Sequence, residues 1–150
     1  MKTYVLTISQ QFPTTHERKG QDTNFIPLIL QGSKKHTIRG NYDLWKKRFD
    51  KINAGEAVLS IRVWEGKPYN SKQIEVLQLD NTNSIGIEKI VFDDYLYSCR
   101  IDGERFSVSS ENIPDNDGLS LGDFEEWFKG YDLSNEMVII HFTDFRYNTI

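Results

Sequence analysis

An α+β domain, with a small closed or half-closed β-barrel of about six strands and flanking helices, is the fold predicted by three features of the chain. Its middle, residues 56–108, is a succession of short runs alternating apolar and polar residues, the period of half-buried strands. Three other stretches carry apolar residues at helical spacing, each opened by a polar residue suited to capping. The connections are short, with no linker, internal repeat or low-complexity tract. Many short strands with a few helices at the rim is the pattern of a sheet that curls around its own core.

Thr3 to Ser9 reads as the first strand, followed by a loop holding Phe12-Pro13 and Gly20. Thr23 to Gln31 reads as a helix, capped by Thr23 or Asn24, with Pro27 tolerated in the first turn and Gly32 as its stop. Thr37 to Arg39 is a short strand. Asn41 then caps a helix to about Asn53, ended by Gly55. In it Trp45, Phe49 and Ile52 fall at i, i+4, i+7 and face the core, which makes Trp45 a core residue rather than a ligand platform. Lys46, Lys47 and Lys51 lie off that stripe, and Asp43 with Lys47 forms an i, i+4 pair.

Glu56 to Trp64 alternates Leu59, Ile61 and Val63 against Ser60, Arg62 and Trp64. Ser71 to Asp80 is a second strand whose apolar phase slips between Val76 and Leu77, the mark of a bulge. Gly86 to Phe92, Tyr95 to Ile101 and Arg105 to Val108 continue the sheet, with Asp102-Gly103 as a hairpin turn. Ser120, with Asp123 three residues on, opens a helix to Tyr131 that buries Leu121, Phe124, Phe128 and Trp127. Met137 to Phe145 closes the chain as an apolar strand, and residues 146–150 read as a strand end of the kind that pairs with another chain, which leaves the oligomeric state open.

At 150 residues the chain fits one domain, with 38% hydrophobic and 13% aromatic residues. No apolar run approaches the roughly 20 residues of a membrane span. The start lacks the apolar core of a signal peptide, so a cytoplasmic location is expected. The single cysteine, Cys99, excludes an internal disulfide and sits in a strand pattern as a core residue. The net charge of −4 argues against coating nucleic acid non-specifically, but the charge is unevenly spread. Residues 34–72 carry ten basic residues against four acids; residues 75–136 carry fifteen acids against four bases. Such a basic patch on an acidic body suits a phosphate-bearing ligand bound locally.

Chemistry concentrates in Gly32-Ser33-Lys34-Lys35-His36-Thr37-Ile38-Arg39. On a strand, Thr37 and Arg39 share a face, with Lys34 and Lys35 just upstream and His36 within reach of a ligand. Trp64 and Tyr69 are candidate stacking surfaces for a base, with Trp64 equally suited to covering the barrel. Asn81, Asn83 and Asn116 read as ordinary loop residues. His16, His36 and His141 lack zinc-site spacing, so no metal is expected; no cofactor motif is present.

The run Gly32-x-Lys34-x-x-Thr37-x-Arg39 resembles the signature of the ASCH domain family of PUA-like β-barrels. Gly55-Glu56-Ala57-Val58 resembles the family's step into its barrel. Asp115-Asn116-Asp117-Gly118-Leu119-Ser120, followed by Phe124 and Trp127, resembles its acidic-Gly element before an aromatic helix, and Val138 to Phe142 its closing strand. The likeness covers most of the chain, with additions at residues 10–22 and 41–54.

That resemblance implies a PUA-like barrel with a cleft for RNA or a modified nucleoside. Some members hydrolyse the acetyl amide of N4-acetylcytidine, and others are regarded as RNA-binding or ribonuclease-like. Carried over by position, the working groups become Lys34, Thr37 and Asp117, with Glu111 and Asp115 as other acids near that place; Arg39 matches the motif arginine. Two departures stand out. An aspartate replaces the expected glutamate, shorter by one methylene, and Lys35-His36 replace smaller or apolar neighbours.

Two readings result, with a third behind them. The first is a binding module for RNA or a modified nucleotide, using Lys34, Lys35, His36, Thr37 and Arg39, with Lys46, Lys47, Arg62, Trp64 and Tyr69 around them. The second is a nucleoside amidohydrolase in which Lys34, its pKa lowered by burial and like charge, activates Thr37 while Asp117 orients it. The third is a protein-interaction domain without catalysis.

Overall fold

The computed structural model describes residues 1–93 and 95–149. It is α+β, with two sheets and four helices. In chain order the elements are β1 (Lys2–Thr7), α1 (Phe25–Leu30), β2 (His36–Gly40), α2 (Tyr42–Asn53), β3 (Ala57–Trp64), β4 (Gln73–Leu79), β5 (Gly86–Phe92), β6 (Ser98–Ile101), β7 (Glu104–Ser107), α3 (Ile113–Asn116), α4 (Leu121–Phe128) and β8 (Met137–His141). One sheet runs β1-β3-β4 and the other β2-β8-β5-β6-β7. β1 and β3 are parallel, joined by a crossover that contains α1, β2 and α2. Apolar side chains of both sheets and of α1, α2 and α4 merge into one buried cluster. No described helix is long and apolar enough to cross a membrane.

Local chemistry accounts for most boundaries. Asn41 caps α2, its side chain accepting from Leu44 N–H at 3.3 Å, and Trp45, Phe49 and Ile52 are buried. The slip expected near Val76 is a bulge: Ile61 faces Leu77 and Arg62 faces Glu75, leaving Val76 without an opposite residue. Asp102 and Gly103 both have positive φ, +48° and +89°, the geometry of a two-residue hairpin turn.

Other expectations need correction. The i, i+4 pair on α2 is Lys46 with Asp50, at 2.5 Å, rather than Asp43 with Lys47. β6 begins at Ser98, not Tyr95, because the Asp93 carboxylate collects the N–H groups of Tyr95, Tyr97 and Ser98 into a turn. Leu121 is exposed, and the buried residues of α4 are Phe124 and Phe128. Residues 113–116, assigned no element from the sequence beyond Asn116 as a loop residue, form the one-turn α3, with Pro114 in its first turn. β8 stops at His141, after which residues 142–149 fold back on the same domain; Ile150 lies outside the described residues. There Arg146 donates to the carbonyls of Thr143 and Ser84, and Tyr147 is buried.

Candidate functional site

The segment carrying Lys34 is fixed by backbone bonds to three elements. Lys34 N–H donates to Leu28 O of α1 at 3.0 Å, and Lys35 N–H to Asn116 O of α3 at 2.7 Å. Phe142 N–H, just past β8, donates to Lys35 O at 2.9 Å. The chain enters the segment through Gly32, whose φ of +84° is cheap only for glycine. Facing it is Gly118, at φ +82°, where a Cβ would stand 3.2 Å from Lys34 Cδ and 3.3 Å from its Cβ and Cγ. The lysine stem therefore lies directly against a bare backbone. Gly118→Ala is expected to lose about 1–3 kcal/mol, from left-handed strain and this crowding. An unchanged denaturant midpoint would contradict it.

Lys34 is 1% exposed. Its ammonium lies 4.1 Å from the centre of the Phe25 ring, donates to the Asp117 carbonyl at 2.5 Å and stands 3.4 Å from Asp117 Oδ1. Burial pulls its pKa from 10.5 down to about 8; the Asp117 charge resists this and the Arg39 charge adds to it. Thr37, Arg39 and Asp117 line the same cavity, walled by Phe25, Leu119 and Trp127. The cavity is small, about 20 Å³, room for roughly one water molecule. Arg39 donates through one terminal nitrogen to Thr7 O at 2.7 Å, and its buried Nε has no hydrogen-bond partner among the described residues. Burial lowers the arginine's pKa, opposed chiefly by the Asp117 charge.

Of the three candidate acids, Asp117 is 4% exposed and faces Lys34, whereas Glu111 and Asp115 point to solvent. The turn of α3 decides this: Ile113, Pro114 and Asn116 turn inward, which leaves Asp115 outside and delivers Asp117 as the C-terminal cap.

The remaining residues expected at a ligand do not line this cavity. Lys35 is half-buried, its ammonium 4.8 Å from the Phe145 ring centre. His36 is wholly buried behind Asp117, a correction to its place at the ligand; the β2–β8 pairing sets it opposite His141 in the core. Lys46 and Lys47 stand exposed on α2, Lys46 already bound to Asp50. Arg62 donates to Ser60 Oγ on β3, and Trp64 packs against the exposed Tyr69 ring at 5.2 Å.

Three residues of the site were not expected. Asn116, read as a loop residue, is buried and donates to the Tyr147 hydroxyl at 2.9 Å; Tyr147 in turn meets His36 Nε2 at 2.6 Å. Glu88, 3% exposed, meets His141 Nε2 at 2.7 Å and accepts the N–H groups of Tyr147 and Asn148 at 2.9 Å each. Burial pushes the Glu88 pKa up, but those hydrogen bonds outweigh it and hold it below the usual range. Burial lowers His141 to about 4 despite Glu88. The strand alternation puts Glu88 in phase with Ile90 and Phe92, a carboxylate on a core face that the sequence alone displays.

A buried lysine with a lowered pKa leaves a pH signature. The unfolded chain binds a proton at Lys34 up to pH 10.5 and the folded chain only to about 8, so stability rises with pH across that window. Burial raises the Cys99 thiol from 9.0 to about 12, which cancels the trend once the unfolded thiol ionises, and the raised Tyr147 hydroxyl reverses it above pH 10. The rise is therefore expected between pH 8 and 9, at about 1 kcal/mol. Urea midpoints at the two values check it, and a folded Lys34→Met variant should lack it.

Among the described residues, no group of three or more His, Cys, Asp and Glu side chains is arranged to hold a metal. Comparison with models of protein families, with curated proteins and with solved structures finds no match for this chain.

Proposed function

We propose that this chain is an ASCH-type domain, its two sheets forming a small PUA-like barrel, and that it takes a modified nucleoside or nucleotide at Lys34, Thr37, Arg39 and Asp117. The observation that carries the reading is the convergence of these four side chains on one cavity, although Lys34 and Asp117 are 83 residues apart. The unpaired Arg39 Nε is a ready donor to a carbonyl or phosphoryl oxygen. Phe25, Leu119 and Trp127 wall the cavity, and since it has room for about one water-sized group, only the acyl or carbonyl end of the ligand reaches these four side chains while the rest stays outside. A small ligand suits the place better than an extended RNA strand, because Lys46 and Lys47 of α2 lie off the cavity. Calorimetric titration with N4-acetylcytidine and cytidine tests the reading. Saturable binding is expected, weakened about tenfold or more in Arg39→Ala through loss of a charged hydrogen bond. Affinity indifferent to Arg39 would refute it.

Amide hydrolysis is the second reading, favoured by the Lys34 pKa of about 8, close to that of an effective general base. In it the neutral amine takes the Thr37 hydroxyl proton as the Thr37 oxygen attacks the acyl carbon. Lys34 then returns the proton to the departing nitrogen, and water hydrolyses the threonine ester to release carboxylate and restore the hydroxyl. Arg39 holds the acyl oxygen and Asp117 orients the lysine. Acetate release from N4-acetylcytidine, abolished in Lys34→Ala, is the expected result; no release at high enzyme concentration removes this reading.

A further inference from the structure

We propose that His36 is a positioning residue that keeps the Asp117 carboxylate from closing fully onto Lys34, and that Tyr147 locks His36 in the required tautomer. This rests on the cleft reading above but makes a claim about side chains that no ligand is needed to test.

Donor and acceptor roles follow from the partners around each atom. Asn116 has only N–H groups to offer through Nδ2, so the Tyr147 oxygen accepts from it. The Tyr147 hydroxyl hydrogen is then available to His36 Nε2, 2.6 Å away. That leaves the His36 proton on Nδ1, which stands 3.2 Å from Asp117 Oδ1 and donates to it. The same Oδ1 is 3.4 Å from Lys34 Nζ, longer than the 2.7–2.9 Å of a well-made charge-assisted bond. One carboxylate oxygen is thus shared between an imidazole N–H and an ammonium, and the ammonium holds the longer contact.

The support behind His36 is rigid. Glu88 on β5 accepts the backbone N–H of Tyr147 itself, so the segment presenting the hydroxyl is tied to the sheet. Facing the cluster are Arg39 on β2, His141 on β8 with its ring 5.4 Å from that of His36, Glu88 on β5 and Tyr147. Burial lowers the His36 pKa and keeps the ring neutral, and it raises the Tyr147 hydroxyl, which stays protonated. His36 is one of the two positions where the chain departs from smaller or apolar neighbours in the motif it resembles. Its imidazole changes what the lysine can do: a carboxylate released by His36 swings onto Lys34 and favours the ammonium, whereas a carboxylate held back leaves the neutral amine within reach near neutral pH.

The test is the titration of Lys34 followed by NMR in protein labelled at lysine 13Cε. In His36→Leu and in Tyr147→Phe the Lys34 midpoint is expected to rise by about one pH unit, a tenfold loss of neutral amine at pH 7. His36→Asn, whose Nδ2–H occupies the place of the imidazole Nδ1–H, should return it toward the wild-type value. Phe145→Leu, which disturbs packing on the same Tyr147 and His141 rings without touching the bonds, should leave it unmoved. A wild-type midpoint in folded His36→Leu, or an equal rise in Phe145→Leu, overturns the proposal. Tyr147→Phe carries the test alone if His36→Leu does not fold. A Lys34 midpoint that behaves as expected in a protein that ignores N4-acetylcytidine would sink the ligand reading and leave this one standing.

Discussion

Asp117→Ala is expected to destabilise the fold by about 3–5 kcal/mol, because it strips a fully buried ammonium of its counter-charge. Lys34 keeps only the carbonyl of residue 117 as acceptor, and His36 Nδ1 loses its partner as well. The lysine has one escape, to give up its proton, so its pKa should fall below the present value of about 8. Adding Lys34→Met to the same chain removes the stranded charge and should recover part of the loss. Urea denaturation of the two variants measures this. A single variant as stable as wild type would mean that the pair contributes nothing, and with it the electrostatic account of the site.

Glu88→Ala should cost a similar amount, about 3–5 kcal/mol, for a different reason. It leaves three buried or half-buried donors, on His141, Tyr147 and Asn148, without the acceptor they share. The residues after β8 would come loose first, so amide exchange at Tyr147 and Asn148 should quicken more than in the core of β5. The pH dependence carries the same signature. His141 titrates at about 4 when folded and at 6.5 when unfolded, so its burial in the neutral form contributes stability that is lost as pH falls from 6.5 toward 4. The Glu88 carboxyl, held below its ordinary pKa, loses stability in the same direction. Slow exchange at Tyr147 in Glu88→Ala would show that the segment is held by packing alone.

What the sequence revealed and what it hid divide along the range of the interactions. Helix α2 could be read from the Trp45, Phe49, Ile52 stripe and the Asn41 cap, and the bulge in β4 from a phase slip at Val76, because each depends on neighbours a few residues away. The late start of the Tyr95 run was hidden by a side chain, Asp93, that competes locally for backbone N–H groups. Motif spacing put Lys34, Thr37 and Arg39 side by side, the family resemblance added Asp117, and the four line one cavity. His36 was misread as facing a ligand, since only its pairing opposite His141 across β2 and β8 turns it inward. Tyr147 was out of reach: its partner His36 lies 111 residues earlier, and no local pattern announces a contact of that length.

The central claim is that a nucleoside ligand enters at Lys34, Thr37, Arg39 and Asp117, and shift mapping on titration with N4-acetylcytidine tests it most directly. Saturable changes at Arg39 Nε–H, Lys34 Cε and the Thr37 and Gly118 amides, with α2 unmoved, are the predicted result. Changes confined to Lys46 and Lys47 on α2, or none that saturate, would place the ligand elsewhere and contradict it.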